Sequence, residues 1–551
     1  MLGLLDEHAG GAFSLRPAGD ARVESREYAG ASLVLRTVWR AGAARLVVEE
    51  ALRLGGEPAL IRAVHAEGGG VPVDIEIRAP GPLPGRHDDV RAKDGRLSIA
   101  ARGDAAAIDV HAPAPWSVAG GTARARFVAS STRSLVALTA TGAPVHAVAA
   151  PRAPVDALTA LALDDTRERW QRRLAGIAGV PLRPEAVRVL GEAHCRRLLD
   201  VSAAVLVGLT HVAGGIVAAP TCSLPQWPGS ARCWDYRFCW LRDAALAGSA
   251  LLRLGLVDEA WSLGAFIGGV TAAHGVRPMV RVDGADAPEE RVRMELSGYR
   301  GATPVRFGNA AAQQFQLDVG GEVLDLAHQL ATAGALPEAL ATAAPGIAGW
   351  IAEHWSEPDH GIWEIRGAAR PYTHSQVMAW VGLDRAARLA GTGSIRGDGA
   401  SWRATAHAVR AHVLDRPRQP LQLHHRSGGA DAALSSIVEH GFVARDDPAV
   451  GATLDLIAAR LDRDGVLDRY EGVRDPLPDT SAPFVFPTFW MATAAGAAGR
   501  DGGRWLRAAA ASCGPLGLYG EVVDPATGGP LGNYPQVQSH AALVTALTAR
   551  S

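Results

Sequence analysis

The sequence predicts two regions of different fold class: a β-sandwich over roughly the first 160 residues, then a large all-α region from about residue 185 onward. Apolar and polar residues alternate around position 75, the spacing of a strand. Further along, apolar residues recur at intervals of 4, 3 and 4, the spacing of a helix face. Between the two lies a charged stretch around Trp170.

Taken in order, Val71, Val73, Ile75 and Ile77 alternate with Asp74, Glu76 and Arg78, which predicts a half-buried strand. Residues 32–40 and 46–54 are further strands by the same pattern. Gly55-Gly56, Gly68-Gly69-Gly70 and Pro80-Gly81-Pro82 supply turns between them. Many short strands with such punctuation predict a sandwich. Residues 164–174 read as a linker helix. Val319, Val323, Leu326 and Leu330 share one helix face, and further helices are predicted over 185–207, 243–254, 375–389, 401–413 and 448–461. Helices recurring without a sharp sequence repeat suit a toroid of helix pairs. The expected domains are a sandwich over 1–162, a linker helix over 163–184 and a helical domain over 185–551.

A chain of 551 residues exceeds one ordinary core. Its net charge of −2 provides no basic footprint for nucleic acid or an anionic membrane. The five cysteines are odd in number and form no CxxC pair, which argues against a disulfide scaffold or a zinc site. No apolar run is long enough to span a bilayer. Met1-Leu2-Gly3-Leu4-Leu5 runs straight into Asp6 and Glu7, without the basic start of a secretion signal. A cytoplasmic location is expected, with no cofactor, no metal, no nucleic acid and no membrane as partner. Oligomeric state is not encoded in any pattern.

Chemistry concentrates in residues 232–243, where Trp234, Tyr236, Phe238 and Trp240 mingle with Arg232, Arg237, Arg242, Asp235 and Asp243. Aromatic faces stack on pyranose rings while Arg and Asp bond hydroxyls. Two readings stand open: a sugar pocket, or a core strip whose charges pair with one another. Glu364 follows Trp363, an apolar neighbour that can desolvate a carboxyl and keep it protonated; alternatively it pairs with Arg366 on the surface. Glu521 lies before a Pro/Gly turn, placed to activate water or simply solvated. The run Gly391–Gly397 is not a phosphate loop, adjacent His424 and His425 diverge too much for one metal, and Asp462-Arg463-Asp464-Gly465 reads as a helix-ending turn.

Four ordered blocks resemble the glucoamylase-like inverting glycoside hydrolases of family 15, which include bacterial glucoamylases, glucodextranases and trehalases. They are 218–244, with Ser223-Leu224-Pro225 and Trp240-Leu241-Arg242-Asp243; 298–318, with Gly298-Tyr299-Arg300-Gly301 and Gln316-Leu317-Asp318; 361–375, with Trp363-Glu364; and 521–540, with Glu521, Asn533 and Ser539-His540. The resemblance implies an N-terminal β-sandwich followed by an (α/α)6 barrel (a six-hairpin toroid). It implies hydrolysis of an α-glucosidic bond from the non-reducing end, releasing β-glucose. Glu364 aligns with the general acid and Glu521 with the general base. Arg242 and Asp243 align with residues that hold the terminal glucose, and Trp240, Trp363 and Arg306 with pocket walls. The expected substrate is an α-glucan or oligosaccharide. The alternatives are α,α-trehalose, or a catalytically silent carbohydrate-binding relative. Family members usually open with a tryptophan-rich segment ahead of the point where this sequence starts, so the resemblance implies a sandwich truncated at its start and a catalytic domain over 185–551. Gln226 stands where a glutamate is common, Gly320 where an aromatic is frequent, and 479–484 lacks the usual Glu-Gly.

Overall fold

The structure is a computed structural model that describes residues 5, 11–55, 58–78, 89–93, 96–100, 107–119, 121–141, 155–415, 419–425, 429–472, 477 and 482–549. The Pro80-Gly81-Pro82 turn, Gly56, residues 1–4 and residues 479–481 lie outside them. The chain divides into two compact units: Met1–Ala175 with Leu296–Tyr299, and Gly176–Glu295 with Arg300–Ser551.

The first unit contains an antiparallel four-stranded sheet and an antiparallel eight-stranded sheet. Val71–Arg78 lies between Ala12–Pro17 and Thr122–Ala129 in the smaller one. Its burial alternates as the sequence predicts, with Val71, Val73, Ile75 and Ile77 facing inward. Val71 and Val73 pack against Leu46, Val48 and Val64 of the larger sheet, and Ile75 and Ile77 against Leu97, Ile99, Val110 and Val136. Each sheet thus buries its apolar face on the other. The strands expected at 32–40 and 46–54 run Leu35–Ala41 and Ala44–Leu52, because the chain reverses at Gly42, where φ is +60°. The helix expected from 164 begins earlier, as α1 (Val155–Leu174). Arg133 and Arg167 tie it to the sheet by sharing Glu49, at 2.5 and 2.8 Å.

The second unit is helical: α2 (Pro184–Leu190), α3 (Glu192–Gly208), α4 (Leu241–Arg253), α5 (Val257–His274), α6 (Asp318–Thr332), α7 (Glu338–His354), α8 (Thr373–Gly391), α9 (Gly399–Val413), α10 (Ile437–His440), α11 (Pro448–Leu461), α12 (Val485–Ala497), α13 (Gly503–Ala511) and α14 (Val537–Leu547). The helix predicted over 185–207 is two helices, because Gly191 takes φ +82° and ends α2. Helix α4 packs on α6 and α6 on α8. The short turn Ala432–Ser436 bridges α8 to α12, α12 packs on α14, and α14 returns to α4. Helices α3, α5, α9 and α13 back α14, α4, α8 and α12 respectively. The innermost helices are enclosed on every side; α12 is buried from Val485 through Ala495, which its apolar composition permits. Gly320 on α6 faces Ile351 and Trp350 of α7, so the aromatic volume at this place comes from the neighbouring helix. Strands in this unit, among the described residues, are short antiparallel pairs. No described helix is long and apolar enough to cross a membrane.

Two adjacent glycines of α5 make a test of this packing. A Cβ on Gly268 would land on the backbone of Ala339 and Leu340, whereas Gly269 has nothing within 4 Å. Chemical denaturation should show Gly268→Ala losing about 1–3 kcal/mol. Gly269→Ala should be neutral or gain up to about 1 kcal/mol from helix propensity.

Candidate active site

The 232–243 cluster sorts its charges into two sets. Asp235 is fully buried and takes a fork from Arg237, at 2.8 and 2.7 Å, plus the N–H of Gly308. That pair is structural. Four residues on, the chain enters α4, whose first turn carries Arg242 and Asp243, each 4% exposed, to a cavity that opens to solvent. Trp240, Trp363, Glu364 and Glu521 line the same cavity, so six of the seven residues singled out from the sequence meet there.

Glu364 sits on the turn after α7, with φ +53°, a left-handed conformation that costs a non-glycine residue about 1–3 kcal/mol. The turn begins at Gly361, where a Cβ would press on the Tyr372 ring. Gln314 Nε2 donates to the Glu364 carbonyl at 3.2 Å. The carboxyl Oε1 accepts from the Trp240 indole at 2.7 Å and from Arg242 Nη2 at 2.8 Å. Arg242 Nη1 meanwhile bonds Gln316 Oε1 and Asp318 Oδ2, at 3.0 and 3.2 Å. Trp363 does not cover Glu364 in the manner expected: its indole donates to buried Asp431, at 2.8 Å, and its ring packs among Tyr470, Phe484 and Phe486.

Of the two readings of Glu521, the solvated one does not hold. It is 8% exposed, and burial raises its pKa against the hydrogen bonds that hold it. Tyr236 Oη donates to Oε1 at 2.7 Å and Gln226 Nε2 to Oε2 at 2.8 Å. Asp243 is pushed up to about 7 by burial, with Arg242 opposing.

Arg306 stands one layer behind the cavity. Its Nη1 donates to the carbonyls of Ala231 and Cys233, and it pairs with Glu290 at 3.3 Å and lies over the Trp234 ring, so it braces the hairpin that supports the wall. Arg366, the alternative partner for Glu364, is forked onto Glu290 instead. His424 packs on Tyr372 while His425 stacks on His412, each histidine turned to a different neighbour. His540 is structural: its Nε2 accepts from the Tyr519 N–H, which leaves the proton on Nδ1 to donate to Ser202.

Sequence reasoning missed Arg469 and Gln538. Both line the cavity, and Arg469 Nε and Gln538 Nε2 have no hydrogen-bond partner among the described residues. Gln538 immediately precedes the Ser539-His540 motif; Arg469 falls in no pattern.

The family model for glycosyl hydrolases family 15 matches residues 205–548. The chain belongs to this family. It is 36% identical over 366 residues to the trehalase of Mycolicibacterium smegmatis, covering 64% of this chain and 55% of that protein. The trehalase of Mycobacterium tuberculosis is also 36% identical, at 64% and 54% coverage. Trehalase 2 of Sulfolobus acidocaldarius is 31% identical, at 63% and 62%. The chain therefore spans about half the length of the mycobacterial relatives it matches. In fold it resembles a bacterial glucoamylase complexed with acarbose, with TM-score 0.68 at 14% identity over 97% of this chain and 87% of that one. The family members it matches by sequence are named trehalases, whereas the sequence reading put α-glucan first.

Asp243 links this site to stability. Its folded pKa of about 7 exceeds the ordinary 3.8, so the wild type loses stability as pH rises from 4 to 7 and the buried group ionises. Asp243→Asn cannot ionise. Thermal denaturation should show its stability relative to wild type rising across that interval and levelling above pH 7, by an amount on the order of a few kcal/mol.

Proposed function

We propose that this chain hydrolyses an α-glucosidic bond with inversion, and that α,α-trehalose is its substrate. The observation that carries the chemistry is the pair of carboxyl groups, Glu364 and Glu521, held by separate donors in one cavity. The names of the mycobacterial and Sulfolobus relatives favour trehalose over the α-glucan first expected. The circuit of α4, α6, α8, α12 and α14, closed through Ala432–Ser436, supports reading the helical unit as an (α/α)6 barrel. The two sheets that share a core support a sandwich. We assign these to residues 185–551 and 1–162, with a linker at 163–184.

In this reading Glu521 is the general base and Glu364 the general acid. Water attacks the anomeric carbon as Glu521 takes its proton. The bond to the glycosidic oxygen breaks, and that oxygen receives the proton of Glu364. Asp243 and Arg242 hold hydroxyls of the reacting glucose. The unpartnered N–H groups of Arg469 and Gln538 offer further donors, and Trp240 and Trp363 form walls. Glu364 must be protonated to act. A sugar hydroxyl that takes Arg242 Nη2 releases Glu364 Oε1, and the sugar displaces the water around it. Because burial raises Glu521, the acid-side limb of kcat/KM should lie above about pH 4.5.

Stereochemistry tests the mechanism. Inversion at one glucose of trehalose yields one β-glucose, and the departing glucose keeps its α configuration. Proton NMR of early product should show the anomers in equal amounts; α-glucose alone would establish retention and reject the reading. In a panel of trehalose, maltose, isomaltose and maltotriose, trehalose should be the best substrate.

Leaving-group dependence tests the roles. Glu364→Gln and Glu521→Gln should each lose about 10²–10⁴-fold on trehalose. α-D-Glucosyl fluoride, whose leaving group needs little protonation, should restore most of the activity of Glu364→Gln and little of Glu521→Gln. The opposite pattern would exchange the two roles.

A further inference from the structure

We infer that Gln226 is a positioning residue that keeps the Glu521 carboxylate ionised and aimed at its water, so that it sets the acid limit of activity; this rests on the reading of Glu521 as the base. Gln226 is 4% exposed and follows the strand Cys222–Pro225, which pairs with Cys233–Asp235. Its own N–H donates to the Arg232 carbonyl across this hairpin, at 3.1 Å. The hairpin is locked to the loop that carries Glu521. The Gly532 N–H donates to the Pro225 carbonyl at 3.0 Å. Asn533 Oδ1 accepts from Thr221 Oγ1 and the Leu224 N–H, at 2.9 and 3.3 Å, while Nδ2 donates to the Trp234 carbonyl at 2.6 Å. The 2.8 Å contact between Gln226 and Glu521 therefore joins two segments that are fixed relative to each other.

The chemistry of the contact gives it direction. An ionised carboxylate only accepts hydrogen bonds, and an amide N–H donates at every accessible pH without titrating. Tyr236 occupies one oxygen of Glu521 and Gln226 the other, which fixes the plane of the carboxylate. Around that charge, burial and Glu364 on its turn oppose ionisation, and Asp243 on α4 adds a like charge only as it ionises near pH 7. Tyr236 and Gln226 on the hairpin segment, together with Arg469, favour it. Without the Gln226 donor the balance tips toward the protonated form, which cannot accept a proton from water.

The test is the pH profile of kcat/KM on α,α-trehalose and, in parallel, on α-D-glucosyl fluoride, for wild type, Gln226→Met, Gln226→Glu and Glu521→Gln. Circular dichroism verifies that each variant is folded. Gln226→Met keeps the volume and removes the donor. Its acid limb should move to higher pH by about one unit, which is about a tenfold loss at any pH below the limb. Gln226→Glu should move it at least as far, because a second carboxyl competes for the same proton, and it carries the test alone if the Met variant does not fold. A merely structural role would scale the rate equally at all pH values. An unmoved limb in both variants, with Glu521→Gln inactive, overturns the inference and leaves the base assignment standing. More than about a tenth of wild-type activity in Glu521→Gln, or no wild-type turnover of either substrate, overturns the base assignment and this inference with it.

Discussion

Arg242, in the first turn of α4, divides its donors among Gln316, Asp318 and Glu364 while only 4% of it reaches solvent. A charge taken this far from water costs several kcal/mol unless it is paired, and removing one partner of such a pair costs about 3–5 kcal/mol. Its position therefore draws together the start of α4, the start of α6 and the turn after α7. Other acids around it fare differently from one another. Glu322, buried one turn along α6, is pushed well above its ordinary range, and Asp243 to about 7. Against burial, His440 and Arg385 hold Asp325, also on α6, below its ordinary range.

Much of the fold was legible because periodicity reports burial directly. Val71–Arg78 reads as a strand since alternate residues meet the opposing sheet, and the 4-3-4 run at Val319 since one face of α6 is enclosed. What failed was local backbone geometry. Gly191 sits within an apolar pattern that continues on both sides, so only its torsion reveals the break between α2 and α3.

The site was legible as a set of residues, less so as a set of environments. Trp363 and Glu364 are adjacent in the chain, yet the tryptophan N–H serves Asp431 and the glutamate answers to Trp240 and Arg242. Glu521 looks solvated beside its turn, but Tyr236 and Gln226, from a segment almost three hundred residues earlier, enclose it. Arg306 has the composition of a pocket residue, yet its Nη1 turns to backbone carbonyls. Such differences arise from long-range contacts, which no window of sequence contains. Arg469 and Gln538 went unread for the same reason: an unpartnered donor is recognisable only when its surroundings are seen.

The left-handed torsion of Glu364 is a local cost that the rest of the site must offset. Glycine would occupy that torsion without the penalty of about 1–3 kcal/mol that a side chain incurs there. What holds a glutamate there is its surroundings: Trp240 and Arg242 bond its carboxyl and Gln314 its carbonyl, so the turn is fixed by contacts to both ends of one residue.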